Sequence, residues 1–278
     1  MKAALRALLA LACAACAAAS FSAPETVTFM SRDGTTRLTG YVFQPVTPGP
    51  HAAVVMLHGR SGAYSSLKRG TYTADALTMR HRMWGEFWAE RGYVALHVDS
   101  FGPRGYPEGF AKHSYGARPA EVSEQDVRPL DAYGALDYLQ TRPDVQPDRI
   151  GVQGWSNGGM TVLAAIGPGR VERGAAGFRA AIAEYPGCAI QSRQADYVPY
   201  LPLLVFAATD DDEVSPWTCE RLAQAVKTRG GDIEFVLYAG AHHAYDHPGK
   251  TKQSHAPNRA ALTDTQRRAA AFFEQHLR

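Results

Sequence analysis

Three groups of residues in this 278-residue chain have the types and order that acyl-transfer chemistry requires. The first is Ser156, set in Gly154-Trp155-Ser156-Asn157-Gly158, which fits the pattern G-x-S-x-G of a nucleophile elbow. In such an elbow a serine sits at the tip of a sharp strand-to-helix turn, and the flanking glycines let strand and helix pass close together. A serine hydroxyl is a weak nucleophile until an imidazole takes its proton, and that imidazole needs a carboxylate to fix its tautomer. Downstream stand the run Asp210-Asp211-Asp212 and the pair His242-His243. The order serine, acid, histidine is the one required when an elbow of this kind supplies the nucleophile. We take Ser156, Asp211 and His243 as the candidate set. Asp212 stays open as the acid, and Asp210, nearest the strand, is expected to serve the turn. His242, His243 and His247 could instead be metal ligands, but no cysteine or acidic set is spaced to complete a tetrahedron, so no metal is expected. Upstream, His58-Gly59-Arg60 follows an apolar run. A backbone N–H there, that of Arg60, would pair with the N–H of Asn157 to receive an oxyanion. His58 itself reads as a structural histidine bonding nearby backbone.

The elements that must position these groups are legible from hydrophobic patterning. Thr26 to Ser31 and Arg37 to Phe43 alternate about Asp33-Gly34, a hairpin signal. Ala52–Leu57, Tyr93–Val98, Arg149–Gln153, Phe178–Ala183, Leu201–Ala208 and Ile233–Tyr238 are short strands, most of them uniformly apolar as in a parallel sheet buried on both faces. Helices are expected from Met83 to Arg91, from the capping-box sequence at Ser123 to about Gln140 with Pro129 as a possible kink, from Asn157 to Ile166, from Ser215-Pro216 to Gly230, and from Thr263 to Leu277. This alternation predicts a doubly wound α/β architecture. Each suspect polar cluster follows the carboxyl end of a strand, where ligands bind in such sheets. The stretches Ser61 to Arg80 and Tyr106 to Val122 are expected to shape the pocket, with Tyr64, Trp155 and Arg104 as candidate substrate contacts. A structural role for Arg104, such as a salt bridge to Asp99, is the alternative.

Composition sets the frame. The chain is 45% hydrophobic and 20% charged, as in an ordinary globular protein. Residues 1–22 read as a signal peptide: Lys2 and Arg6 form a basic start, Ala7 to Ala19 an apolar stretch too short to span a bilayer, and Ser20 and Ser22 a cleavage region. Neither Cys13 nor Cys16 has leucine three residues before it, which argues against a lipoprotein site. Residues 23–278 would then form one mature domain, periplasmic or secreted. Without Lys2 and Arg6, 27 basic residues balance 27 acidic ones, so net charge suggests neither nucleic acid nor an anionic membrane as partner. Cys188 and Cys219 remain as an expected disulfide in an oxidising compartment.

These segments together resemble the dienelactone hydrolase family of the α/β-hydrolase superfamily, from about Val54 to the C-terminal helix. The similar stretches are Leu57-His58-Gly59 with Ser61-Gly62, Val98-Asp99-Ser100-Phe101-Gly102-Pro103-Arg104-Gly105, Gly154-Trp155-Ser156-Asn157-Gly158-Gly159, Tyr185-Pro186-Gly187-Cys188, Asp211-Asp212 with Pro216 and Cys219, and Gly240-Ala241-His242-His243-Ala244-Tyr245. The resemblance implies an α/β-hydrolase fold: a mostly parallel sheet of about eight strands flanked by helices, without a large cap domain. It implies His243 as the base. Counting back from Cys219 puts the acid on Asp211, and counting back from Pro216 also allows Asp212. It also supports a Cys188–Cys219 disulfide near the site. The lactone-opening members carry cysteine at the elbow and glutamate in the oxyanion loop, whereas this chain has Ser156 and His58-Gly59. The expectation is therefore a serine hydrolase of small-molecule esters or lactones that needs no cofactor. Polyester hydrolases and peptidases of the same fold are the rival enzymes, and an inactive binding protein the rival outside catalysis. Oligomeric state is left open.

Overall fold

The computed structural model describes residues 23–169 and 177–277. The proposed signal segment, with Cys13 and Cys16, lies outside the described residues. Among the described residues eight strands form one sheet: β1 (Glu25–Met30), β2 (Arg37–Phe43), β3 (His51–Leu57), β4 (Val94–Asp99), β5 (Val145–Trp155), β6 (Ala181–Glu184), β7 (Leu203–Asp210) and β8 (Ile233–His242). Their spatial order is β1-β2-β4-β3-β5-β6-β7-β8. The β1–β2 and β2–β4 pairs are antiparallel; the rest are parallel. The uniformly apolar strands are the central ones. Val54 to Leu57 of β3 and the whole of β4 are buried, while β1 at the edge alternates exposed and buried residues.

Helices α1 (Met79–Glu90), α2 (Arg128–Thr141), α3 (Asn157–Ile166), α4 (Pro216–Thr228), α5 (Lys250–Gln253) and α6 (Ala256–His276) complete the layers. Tyr133 and Leu136 of α2, Val162 and Leu163 of α3 and Leu222 and Val226 of α4 share one core. Trp84 and Trp88 of α1 and Phe273 of α6 share the other. The chain passes from β3 outward to β4, then returns past β3 to β5. The strand order reverses there, and crevices beyond the strand ends bind ligands at such a switch point. The loops after β3 and β5 flank it.

The strand set agrees with the sequence reading, while three helix starts differ. Helix α1 begins at Met79 rather than Met83, because the Thr78 side chain accepts from the His81 N–H and caps it. Ser123 caps only the turn that leads into the helix, accepting from the N–H groups of Gln125 and Asp126. Helix α2 starts at Arg128, and Pro129 lies in its first turn, where a missing N–H costs nothing, so it does not act as a kink. Helix α6 starts at Ala256, again with proline in its first turn.

Candidate active site

Ser156 occupies the turn between β5 and α3 with φ 52° and ψ −112°. A non-glycine residue in such a conformation carries about 1–3 kcal/mol of strain, tolerated only where the surroundings fix it. Here the Ser156 N–H donates to the Glu184 carbonyl of β6 at 2.8 Å, and its own carbonyl accepts from the Met160 N–H at 2.9 Å. A Cβ on Gly158 would lie 2.0 Å from the Leu57 carbonyl oxygen, and one on Gly154 would lie 2.3 Å from that of Gly158. Strand β3, strand β5 and helix α3 therefore meet backbone to backbone, which glycine alone allows.

The structure brings Ser156, His243 and Asp211 together. His243 Nε2 lies 3.0 Å from Ser156 Oγ, and His243 Nδ1 lies 2.8 Å from Asp211 Oδ2. A carboxylate can only accept, so Nδ1 carries the proton and Nε2 offers its lone pair to the serine O–H. Asp211 Oδ1 accepts from the N–H groups of Glu213 and Val214, which orients the carboxylate. Ser156 is 8% exposed and His243 6%: the pair is sheltered yet open on one side. Asp212 points away into an exposed ion pair with Lys112, so Asp211, not Asp212, meets the imidazole. Asp210 accepts from the Thr209 hydroxyl, within its own turn.

His243 is held from further sides. Its carbonyl accepts from Lys252 Nζ of α5 at 2.7 Å. The Tyr185 ring meets it edge-on at 4.8 Å. Tyr185 (φ 36°) and Ala244 (φ 56°) are both left-handed, so strain flanks His243 as well as Ser156. Tyr185 donates its hydroxyl proton to Asp246 and accepts from Arg80, in a buried layer that also contains Glu184. Burial pushes the Glu184 carboxyl well up, reinforced by the charge of Asp246. Among the sequence-predicted metal candidates, His242 stacks on His255 at 4.3 Å, and the described residues contain no group of three ligands fit to hold a metal.

The loop after β3 lies against the elbow: a Cβ on Gly59 would come 3.2 Å from the Trp155 carbonyl and 3.4 Å from Ser156 Cβ. That places the next residue, Arg60, beside Ser156. Across from it, Asn157 opens α3, so its N–H has no acceptor a turn earlier. His58 is structural, as the sequence suggested. Its Nδ1–H donates to the Gly59 carbonyl and its Nε2 accepts from the Ser100 N–H. Burial, with the charge of Arg128, holds the ring far below its ordinary titration range. Arg128 donates to the His58 carbonyl at 2.7 Å and steadies the loop from beneath.

Two of the expected substrate contacts are corrected. Trp155 is fully buried, packed 5.8 Å from His81 and 5.9 Å from Trp84, because the alternation of β5 turns it inward when Ser156 turns out. Arg104 is also structural, and its partner is not Asp99. Its guanidinium grips buried Asp131 of α2 with two bonds of 2.8 Å and Asp33 of the first hairpin with another, leaving its side chain 5% exposed. Tyr64 does line a cavity of about 300 Å³ with Ser61, Tyr72, Met79, Arg80 and His247. Its hydroxyl donates to Asp99 and contacts the Tyr41 hydroxyl. The cavity lies beside the site, since Ser61 follows Arg60 and Arg80 bonds the tyrosine that packs on His243. The Cys188–Cys219 disulfide is present and ties the loop after β6 to α4.

Two contributors escaped the sequence reading. Arg118, from the stretch between β4 and α2, donates to Glu124 and to the Asn157 side-chain oxygen at 3.0 Å; nothing local in the sequence marks it. Glu213 closes the acidic run, where a fourth acid after three aspartates was the only signal.

Known proteins resemble this chain in sequence and in fold. The dienelactone hydrolase family model matches residues 38–277. YtaP of Bacillus subtilis (strain 168), provisionally named a hydrolase, is 28% identical over 142 residues, which is 46% of this chain and 43% of that protein. A Synechocystis sp. protein provisionally named a carboxymethylenebutenolidase is 23% identical over 251 residues, covering 87% of this chain and 93% of its own. The propionate-bound esterase Est2 of the planctomycete Thermogutta terrifontis shares the fold with a TM-score of 0.62 at 19% identity, over 91% of this chain and 94% of that one. With its family model matched over most of its length, the chain belongs to the dienelactone hydrolase family.

Proposed function

We propose that this protein is an exported serine hydrolase that cleaves a carboxylic ester or lactone through an acyl-serine intermediate. The observation that carries the reading is the unbroken chain from Ser156 Oγ through the His243 ring to Asp211, set on a strained elbow. Ser156 Oγ attacks the carbonyl carbon while His243 Nε2 takes its proton, and Asp211 stabilises the imidazolium. The oxyanion is received by the backbone N–H groups of Arg60 and Asn157 and faces the positive end of α3. Collapse of the tetrahedral intermediate expels the alcohol, which takes the proton from His243, and water then repeats the cycle on the acyl-serine. This sequence needs no metal or organic cofactor.

Ser156→Ala should lower kcat/KM on a short p-nitrophenyl ester by about 10⁴-fold or more and abolish labelling by a fluorophosphonate, with the protein still folded. Turnover persisting in the purified variant would overturn the assignment. Export rests on the basic and apolar pattern of residues 1–22, and the Cys188–Cys219 disulfide suits an oxidising compartment. N-terminal sequencing of protein from the periplasm or medium should begin at Ala23 or within a few residues before it.

A further inference from the structure

Asp211 is not the only carboxylate at His243. Glu213 Oε2 lies 3.8 Å from His243 Nε2, on the edge of the ring that faces Ser156. That is beyond a hydrogen bond but well within the reach of a charge. The carboxylate is fixed there by a two-pronged ion pair, Arg60 Nε to Oε2 at 2.8 Å and Arg60 Nη2 to Oε1 at 2.9 Å. A third bond, Arg60 Nη1 to the Phe110 carbonyl, anchors the guanidinium. The Glu213 main chain meanwhile donates to Asp211 Oδ1. One residue therefore orients the acid through its backbone and faces the other nitrogen of the base through its side chain. Its clamp is the side chain of the residue whose N–H completes the oxyanion site.

We propose that Glu213, clamped by Arg60, is a positioning residue for His243: its carboxylate supports the protonated imidazole from the Nε2 side, and Arg60 limits how strongly. This rests on the reaction proposed above, in which the Ser156 O–H bond breaks as the N–H bond to Nε2 forms and the proton later leaves on the alcohol. The Arg60–Glu213 pair presents its negative end to the ring, so it favours the moment when the ring is charged. Burial alone would raise the Glu213 carboxyl, yet the Arg60 hydrogen bond and the charges of His243 and Arg60 hold it below the usual range, so it stays ionised. The remaining charges around His243 are Asp211 at Nδ1, the Asp212–Lys112 pair farther along the acid loop, Lys252 at the carbonyl, and Arg80 with Asp246 behind Tyr185.

The test is the pH profile of kcat/KM on a short p-nitrophenyl ester for wild type, Glu213→Gln and Arg60→Met. Glu213→Gln removes the negative end and leaves Arg60 unpaired, so the low-pH limb should move down by about half a pH unit, with kcat falling more than KM changes. Arg60→Met leaves Glu213 unclamped, so the limb should move up by about the same amount. Opposite shifts are the signature, because a merely structural brace would weaken both variants without separating their limbs. Limbs that stay put, or move the same way, overturn the proposal. Should Glu213→Gln fail to fold, Glu213→Asp keeps the charge but withdraws it, and the same downward shift is required. Wild type that turns over ester through Ser156 but shows no such shifts sinks only this inference; wild type with no turnover and no fluorophosphonate labelling sinks the reaction and the inference together.

Discussion

Strands β4 and β5 flank β3 on opposite sides, and each ends in a polar cluster after a buried apolar run. The clusters look alike in sequence but are built differently. At the end of β5 the backbone does the positioning: glycines at 154 and 158 let three segments touch, and the serine hydroxyl is left facing His243. At the end of β4 charges are spent on each other. Asp99 accepts from the N–H groups of Phe101 and Gly102 and from the Tyr64 hydroxyl. Arg104 is consumed by Asp131 and Asp33. A polar cluster at a strand end is therefore a site only where its hydrogen-bonding capacity is left over. By that measure the β4 end is a foundation.

The largest effect should come from breaking the backbone contact at β5. In Gly158→Ala the new Cβ would sit 2.0 Å from the Leu57 carbonyl oxygen and 2.7 Å from that of His58. Both are main-chain atoms, one at the end of β3 and one in the loop that carries Arg60, so no flexible side chain can yield. A loss of about 4 kcal/mol or more in urea unfolding is expected, together with loss of ester turnover. Gly116→Ala, where nothing lies within 4 Å and φ is ordinary, serves as the control and should change stability by less than about 0.5 kcal/mol. A tolerated Gly158→Ala would mean that the elbow is not set by backbone contact.

That difference between strand ends also decides what could be read from the chain. The elbow, the exact span of α3 and the glycine at 59 were legible because they are local: a backbone motif declares itself within about ten residues. Asp211 was chosen with Asp212 left open, and the resemblance leaned the same way without closing the choice, because three aspartates in series look alike until the turn shows which one has two N–H groups behind it. The partners of Arg104 were not legible. Asp33 and Asp131 lie 71 and 27 residues away, and only the return of the chain through α2 brings them together. The Arg60–Glu213 pair spans 153 residues for the same reason. Trp155 misled because an aromatic residue beside a nucleophile suggests a substrate wall, whereas strand alternation sends it to the opposite side of the sheet.

The next effect breaks the β4 end. Arg104→Met would leave Asp131 buried without its cation, which typically costs about 3–5 kcal/mol. Burial already pushes the Asp131 carboxyl up while Arg104 pulls it down. Without Arg104 the acid can take a proton instead, so the loss should shrink as pH falls. Urea midpoints at pH 8 and pH 5 would register this. In the same variant the ratio of kcat/KM for an anionic and a neutral ester should stay as in wild type, since the guanidinium has no face turned to substrate. A selective loss on the anionic ester would return Arg104 to the site.

The smallest effect sharpens the comparison, because it vanishes at neutral pH. His97 of β4 is fully buried between His81, whose ring centre is 4.2 Å away, and His58 at 6.2 Å. Neither of its ring nitrogens has a hydrogen-bond partner among the described residues. Burial, followed by the charges of Arg80 and Arg128, lowers its titration to about 3. In the unfolded chain the same ring titrates near about 6.5. Between those values the unfolded state holds a proton that the folded state refuses, so stability rises with pH and is lost as pH falls. For one such group the slope approaches about 1.4 kcal/mol per pH unit. His97→Leu removes that proton from the balance while keeping nearly the same volume. The variant should pay for its altered packing at pH 7, then lose less than wild type as pH drops from 6.5 toward 4, so that the two urea midpoints converge. Burial also holds His58 and His81 neutral, and the charge of His97 lowers both further, so its removal relaxes them in the same direction. A gap between the midpoints that stays constant over this range would mean that the ring can charge in place, and that the β4 end still has capacity to spare.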